Sequence, residues 1–234
     1  MMYDLTYSEI QLIKDEISEF IKELKKYSLR GGVNLTENEI SYFTFITKRI
    51  IFLKYIINNY RDSFSNYYKT IMSDYFNMIV AIIDRKKRYI YFSERSIIEN
   101  YIRIVLKLPV ERDHVTYKCF SNLKENFENK ILTTDNYALI RNEYRVCCEY
   151  IHGPKNNTVL SEFFMDCLSK EKDNFKYNQY FNRIQEMIKI LDKLYFYSYP
   201  SLISDIFYRK KSIIDYLFGK EYTDMLFYEN NEET

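Results

Sequence analysis

The run Arg141-Asn-Glu-Tyr-Arg145-Val-Cys-Cys-Glu-Tyr-Ile-His152-Gly-Pro154 decides how this chain is read. Its last two residues stop a helix: glycine supplies a left-handed cap and proline cannot continue the hydrogen-bond ladder. The stretch before them holds neither residue and reads as the helix itself. Successive helical residues rotate by about 100°, so Arg141, Arg145, Cys148 and His152 share one narrow stripe. His152 is one of 2 histidines in 234 residues, so imidazole and guanidinium groups are gathered where the chain offers few.

The same punctuation extends to the whole chain. Only 4 Gly and 3 Pro occur, too few turn signals for an all-β chain of this length. The expected fold is all-α, a single-domain helical bundle of long helices and short connections. Apolar residues make up 47% and charged residues 29%, as in an ordinary globular protein with an ample core. The 25 Tyr and 17 Phe could be base-stacking platforms. Their helical spacing instead reads as core, enriched by an AT-rich coding sequence.

Hydrophobic periodicity and caps place the elements. Thr6-Tyr-Ser-Glu9 reads as a capping box, followed by the amphipathic series Ile10, Ile13, Ile17, Phe20, Leu24 and Tyr27, which Gly31-Gly32 ends. Thr36-Glu-Asn-Glu39 opens a second helix to about Tyr60, and a third covers about Phe64 to Asp84. Ser93 or Asp84 caps the next, which ends at Pro109. A shorter helix is expected at 115–129, and Thr134 or Asp135 opens the one ending at His152. Further helices are expected at 158–170, 176–198 and 201–217, then a last turn at 221–228 after Gly219. The expected division is 1–30 as an amphipathic N-terminal helix, 36–228 as one all-helical domain, and 229–234 as a disordered acidic tail.

Charge and cysteine usage narrow the function. The net charge of +1 gives no overall basic field. Arg85, Lys86, Lys87, Arg88, Arg95, Arg103, Lys107 and Arg112 form a local basic run, either a phosphate contact or a solvated helix end. Cys119, Cys147, Cys148 and Cys167 lack CxxC spacing, which argues against a zinc site or a disulfide framework and for a reduced, cytoplasmic protein. The first residues lack a signal-peptide pattern, and no apolar run approaches the roughly 20 residues of a membrane span. No Gly-rich phosphate loop, HExxH or GxSxG motif occurs, and no cofactor is expected. His114 beside Glu111 and Asp113, and Cys148 beside His152, are weaker constellations without the partners that a metal or a nucleophile needs.

The His152 stripe suits phosphodiester chemistry. A near-neutral imidazole can take the proton of a ribose 2′-hydroxyl or protonate a leaving oxygen. A guanidinium can hold the phosphate and stabilise its developing charge. Read structurally, His152 complements the helix C-terminus and Arg145 pairs with Glu149 one turn on.

Arg145 and His152, separated by six residues on a late helix, resemble the Arg–x4–6–His signature of the HEPN superfamily. Glu94-Arg-Ser-Ile-Ile-Glu99-Asn-Tyr-Ile-Arg103 resembles the upstream charged helix of some HEPN-like proteins from bacterial defence and toxin–antitoxin systems. The resemblance covers about 90–155. It implies a HEPN-like core with extra N- and C-terminal helices, and a metal-independent endoribonuclease acting on RNA as a homodimer. His152 would be the acid/base, Arg145 the phosphate ligand and Arg141 an auxiliary cation, while Glu99 would orient Arg103, Arg95 or His152. Val146 stands where those nucleases carry a polar residue. The alternative is therefore a non-catalytic helical dimerisation protein, with a regulatory or immunity role and a cognate protein partner.

Overall fold

A computed structural model of the protein describes residues 2–60, 64–108, 115, 117–128, 130–152 and 175–227, without the side chains of 2–6 and His152. Ten helices occur among them. The first four are α1 (Met2–Arg30), α2 (Glu37–Asn59), α3 (Ser65–Ile83) and α4 (Lys87–Val105). Then follow α5 (Tyr117–Phe127), α6 (Thr134–His152) and α7 (Tyr177–Ser198). The C-terminal set is α8 (Pro200–Phe207), α9 (Lys211–Phe218) and α10 (Lys220–Phe227). The described residues form no strand, only an isolated bridge between Glu128 and Leu132. The all-α bundle expected from the scarcity of glycine and proline is what the chain forms.

The antiparallel pair α3–α4 is the most extensively packed. The remaining side of α4 receives α6 and α7, while α2 bridges α3, α7 and the C-terminal helices. Ile13, Ile17, Ile21 and Leu24 of α1 are buried, and α1 rests on α2 and α9. Thus α6 is held against the centre of the bundle by one face and turns its other face outward.

Local chemistry sets the helix ends. At Thr36 the N–H and hydroxyl both donate to Glu39 while the Glu39 N–H returns a bond to the hydroxyl, the expected capping box. After α1 the Gly32 N–H donates to Leu29 O and the Val33 N–H to Ser28 O. This double closure needs the left-handed φ of 72° that Gly32 adopts. The same pattern ends α3 and α4, where Arg85 (φ 59°) and Lys107 (φ 51°) stand in glycine's place.

Several expected boundaries move. The first helix starts at Met2, not at Thr6; Glu9 lies inside it and accepts from Tyr55 at 3.1 Å and Lys210 at 2.5 Å. Ser93 is buried inside α4, which begins at Lys87, and Asp84 closes α3. Thr133 rather than Thr134 or Asp135 caps α6, its hydroxyl accepting from the Asn136 N–H at 3.2 Å. The stretch 201–217 divides at Tyr208-Arg209-Lys210 into α8 and α9. The helix expected at 158–170, the tail at 229–234 and His114 lie outside the described residues.

Eight of the described tyrosines are buried, among them Tyr42, Tyr68, Tyr75 and Tyr195, and they shape the polarity of the core. Phe52 sits among Phe196, Phe207 and Phe218 at centroid distances of 5.4, 5.8 and 4.8 Å. Each buried tyrosine also brings a hydroxyl that must be satisfied. Tyr199 donates to Ile104 O and Tyr222 to Lys189 O. Tyr101 and Tyr180 instead donate to the buried carboxyls of Asp192 and Glu94, each at 3.0 Å. Asp192 is balanced by Arg49, whose Nε lies 3.0 Å away and whose guanidinium packs on Phe45 and Phe218. A tyrosine-rich core thus carries buried acids with it.

Candidate functional site: the α5–α6 groove

The outward face of α6 presents Arg141 and Arg145, both exposed, on the stripe expected from their spacing. Arg145 pairs with Glu149 at 2.6 Å, with both side chains about 60% exposed (62% and 60%). An exposed i,i+4 pair holds by only a few tenths of a kcal/mol, so a phosphate can replace Glu149 at little cost. His152 is the last residue of α6, two turns beyond Arg145. The preceding carbonyl, Ile151 O, accepts from Arg88 at 2.9 Å, so a cation from the start of α4 serves this helix end.

Arg141 and Arg145 line a groove of about 650 Å³ between α5 and α6. Lys124 of α5 is the third cation on its walls, and Cys148 lies at its side. Four aromatic residues also line it, Tyr117 and Phe120 from α5 and Tyr137 and Tyr144 from α6, with Thr134, Ala138 and Asn142 beside them. Phe120 and Tyr144 meet at 4.9 Å and join the two helices beneath the groove. The Arg141 guanidinium lies 4.9 Å from the centre of the Tyr117 ring, and the Lys124 ammonium 5.8 Å from Tyr137. Cations alternating with accessible rings suit a ligand that has both phosphates and flat bases. The sequence signal for α6 was its arginine spacing. Tyr117, Lys124 and Tyr137 were not legible as a site, because α5 and α6 are separated by a turn whose geometry spacing does not fix.

The charged stripe of α4 forms the support of this site. Glu99 takes Arg95 at 2.9 Å and Arg103 at 3.3 Å, one turn to either side. It also accepts from Tyr144 of α6 at 2.9 Å, so one carboxylate fixes two arginines and a ring of the groove. Burial of the Tyr144 phenol, with Glu99 beside it, raises its pKa above the ordinary tyrosine range. Arg103 donates a second bond to Asn100. Glu99 thus positions Arg95, Arg103 and Tyr144.

In the basic run at 85–88, Lys86 and Arg88 stay exposed, while its members also take protein partners. Arg85 pairs with Glu39 at 2.6 Å and lies over Tyr177. Lys87 covers Tyr150 and Phe175, and Arg88 takes the carbonyl of Ile151. These residues fasten the start of α4 to α2, α6 and α7.

A buried acidic cluster lies on the inner side of α6. Glu94 of α4 and Glu143 of α6 are 1% and 3% exposed. Tyr180 of α7 donates to Glu94, and Arg183 of α7 lies 2.6 Å from Glu143. Burial first, then the nearby Glu143, pushes the Glu94 carboxyl far above the usual carboxylate range. The signal was present in the sequence: Ile90, Glu94, Ile97 and Tyr101 lie on one core stripe, and Ile140, Glu143 and Cys147 on another. Their acids interrupt otherwise apolar faces.

No protein-family model matches the chain, and no solved structure matches it. It is similar to a DOP1 homolog of Plasmodium falciparum, at 26% identity over 193 residues. That alignment covers 74% of this chain and 5% of the relative. Among the described residues no helix is long and apolar enough to cross a membrane, and no group of three or more His, Cys, Asp or Glu is arranged to hold a metal ion.

Proposed function

We propose that this protein is a HEPN-like RNA-targeting protein that cleaves RNA without a metal, in the manner of bacterial defence and toxin systems. The observation that carries the reading is the α5–α6 groove, which Arg141, Arg145 and Lys124 line together with four aromatic residues. Bases of an RNA strand stack on Tyr117 and Tyr137, and phosphates exchange with Glu149 for Arg145. His152 then takes the 2′-hydroxyl proton as that oxygen attacks phosphorus, and His152 of the partner subunit, protonated, gives its proton to the leaving 5′-oxygen as the P–O5′ bond breaks. Arg145 stabilises the charge on the phosphoryl oxygens. In a homodimer the α6 helices of two subunits meet, so that one cleft collects both Arg–His pairs.

Titration of a fluorescent single-stranded RNA at several salt concentrations tests the binding half of this reading. If two phosphate contacts are lost, Arg141→Ala with Arg145→Ala lowers the slope of log K against log salt by about 1.4. An unchanged slope and affinity would remove the groove from consideration.

One observation favours the second reading, a non-catalytic interaction protein. Phe76, Val80, Tyr89 and Phe92 of the α3–α4 pair are 40%, 42%, 63% and 58% exposed. Large apolar side chains gathered on one face suit a protein partner better than water.

A further inference from the structure

Glu94 and Glu143 approach each other across the contact of α4 with α6, and α7 closes the third side. From α7, Tyr180 donates to Glu94 Oε2 at 3.0 Å, and Arg183 Nε lies 2.6 Å from Glu143 Oε1. That ion pair lacks the alignment of a hydrogen bond. From α6, the Cys147 thiol lies against the Glu94 carboxyl as a weak donor. From α4 itself Tyr91 faces the cluster, and from α2 Tyr42 does. Among the described residues Glu94 Oε1 and Glu143 Oε2 have no well-formed hydrogen bond. Among the described residues the cluster therefore holds two carboxyl groups and one cation, and that cation is partly solvated, its side chain 38% exposed.

Two buried carboxylates facing a single guanidinium cannot both be ionised without leaving one negative charge uncompensated. A proton on Glu94 removes that charge. We infer that Glu94 and Glu143 form a proton-held latch, which keeps α6 closed on α4 and α7 while Glu94 is protonated and loosens it when the proton leaves. The latch lies on the opposite face of the helix that carries Arg141 and Arg145, so it sets how firmly the groove's α6 wall is held.

The direction of the pH effect follows from linkage. Burial, with Glu143 nearby, raises the folded-state pKa of Glu94 to about 8, well above the ordinary glutamate value. Protonation therefore contributes stability that is full below the unfolded value and is lost as pH rises through the folded value. Burial of Tyr180, Tyr42, Tyr91 and Cys147 raises their pKa values too, so all four stay neutral through this window. None of them supplies a compensating charge.

Hydrogen exchange read by mass spectrometry on the full chain, corrected for intrinsic rates, provides the test at about pH 6 and about pH 8.5. Peptides of α2 serve as the reference within the same molecule. In the unaltered protein, protection of α6 is expected to fall by about tenfold or more relative to α2 at the higher pH. In Glu94→Gln, whose amide is neutral at every pH, the α6-to-α2 ratio is expected to stay constant. Glu143→Gln, which removes the like charge and leaves Glu94 with Arg183, is expected to lose less α6 protection at the higher pH than the unaltered protein. Three results would overturn the latch. The first is an α6 ratio that does not change with pH in the unaltered protein, and the second is an equal change in Glu94→Gln. The third is a Glu94→Gln protein that fails to fold, since the amide stands for the protonated form.

Discussion

Replacing Arg49 with Met tests the polar centre of the core. Arg49 is 3% exposed and Asp192 1%. The substitution removes the 3.0 Å contact with Asp192 Oδ2, the bond to Leu217 O at 3.1 Å, and the stacking on Phe45 and Phe218. Asp192 keeps only Tyr101 among the partners described above. An uncompensated buried charge costs about 3–5 kcal/mol. Asp192 can instead take up a proton, which limits the penalty. Starting from an ordinary aspartate, protonation at pH 7 costs about 3 pH units, or about 4 kcal/mol. At pH 5 the same step costs only about 1.5 kcal/mol.

The sign follows from linkage. Burial already pushes the Asp192 pKa up, and Arg49 is the first of the groups that pull it back. Without Arg49 the folded-state pKa rises further, so stability is recovered as pH falls. Urea unfolding followed by circular dichroism at pH 5 and pH 7 measures both quantities. The expected deficit is about 4 kcal/mol at pH 7, shrinking by about 2–3 kcal/mol at pH 5. A deficit below about 1 kcal/mol at pH 7, or one that does not shrink with acid, would show that Asp192 does not depend on Arg49 for its charge.

Smaller effects are expected at the helix ends and on the exposed face of α6. Lys107→Gly relieves a left-handed residue at φ 51° and is expected to stabilise the fold by about 0.5–1 kcal/mol in urea unfolding. Thr36→Ala removes the side-chain half of the capping box and is expected to cost about 1 kcal/mol in the same assay. Glu149→Ala frees Arg145 from an exposed pair; it is expected to change stability by less than about 0.5 kcal/mol and to strengthen RNA binding in an anisotropy titration. Weaker binding would show that Glu149 is not the group a phosphate displaces.

Much of the helical layout was legible because it rests on local chemistry. Thr36–Glu39 and Gly31-Gly32 name their helix ends outright. The apolar spacing of Ile13, Ile17 and Leu24 names the buried face of α1. Where tertiary contacts took over, local signals misled. Thr6–Glu9 has the composition of a cap, yet Glu9 serves Tyr55 and Lys210 instead. The break at Tyr208–Lys210 has no glycine or proline to announce it.

The candidate site was legible only along α6. Helical spacing puts Arg141 and Arg145 on one stripe, but no spacing rule brings Lys124 and Tyr117 of α5 opposite them. Glu99 was recognisable as a partner of Arg95 and Arg103, since all three lie one turn apart. Its bond to Tyr144 depends on how α4 packs on α6. The buried acids were visible as interruptions of apolar stripes, although nothing in the sequence pairs Glu94 with Glu143.

The proposed activity is metal-free cleavage of RNA by Arg145, on the α5–α6 groove, and His152, at the end of the same helix. Incubation of the purified protein with tRNA and total cellular RNA in EDTA, beside His152→Ala and Arg145→Ala, tests it most directly. The unaltered protein is expected to cleave, and both substitutions to abolish cleavage while leaving the circular dichroism spectrum unchanged. RNA that stays intact with the unaltered protein, or cleavage that survives His152→Ala, would contradict it.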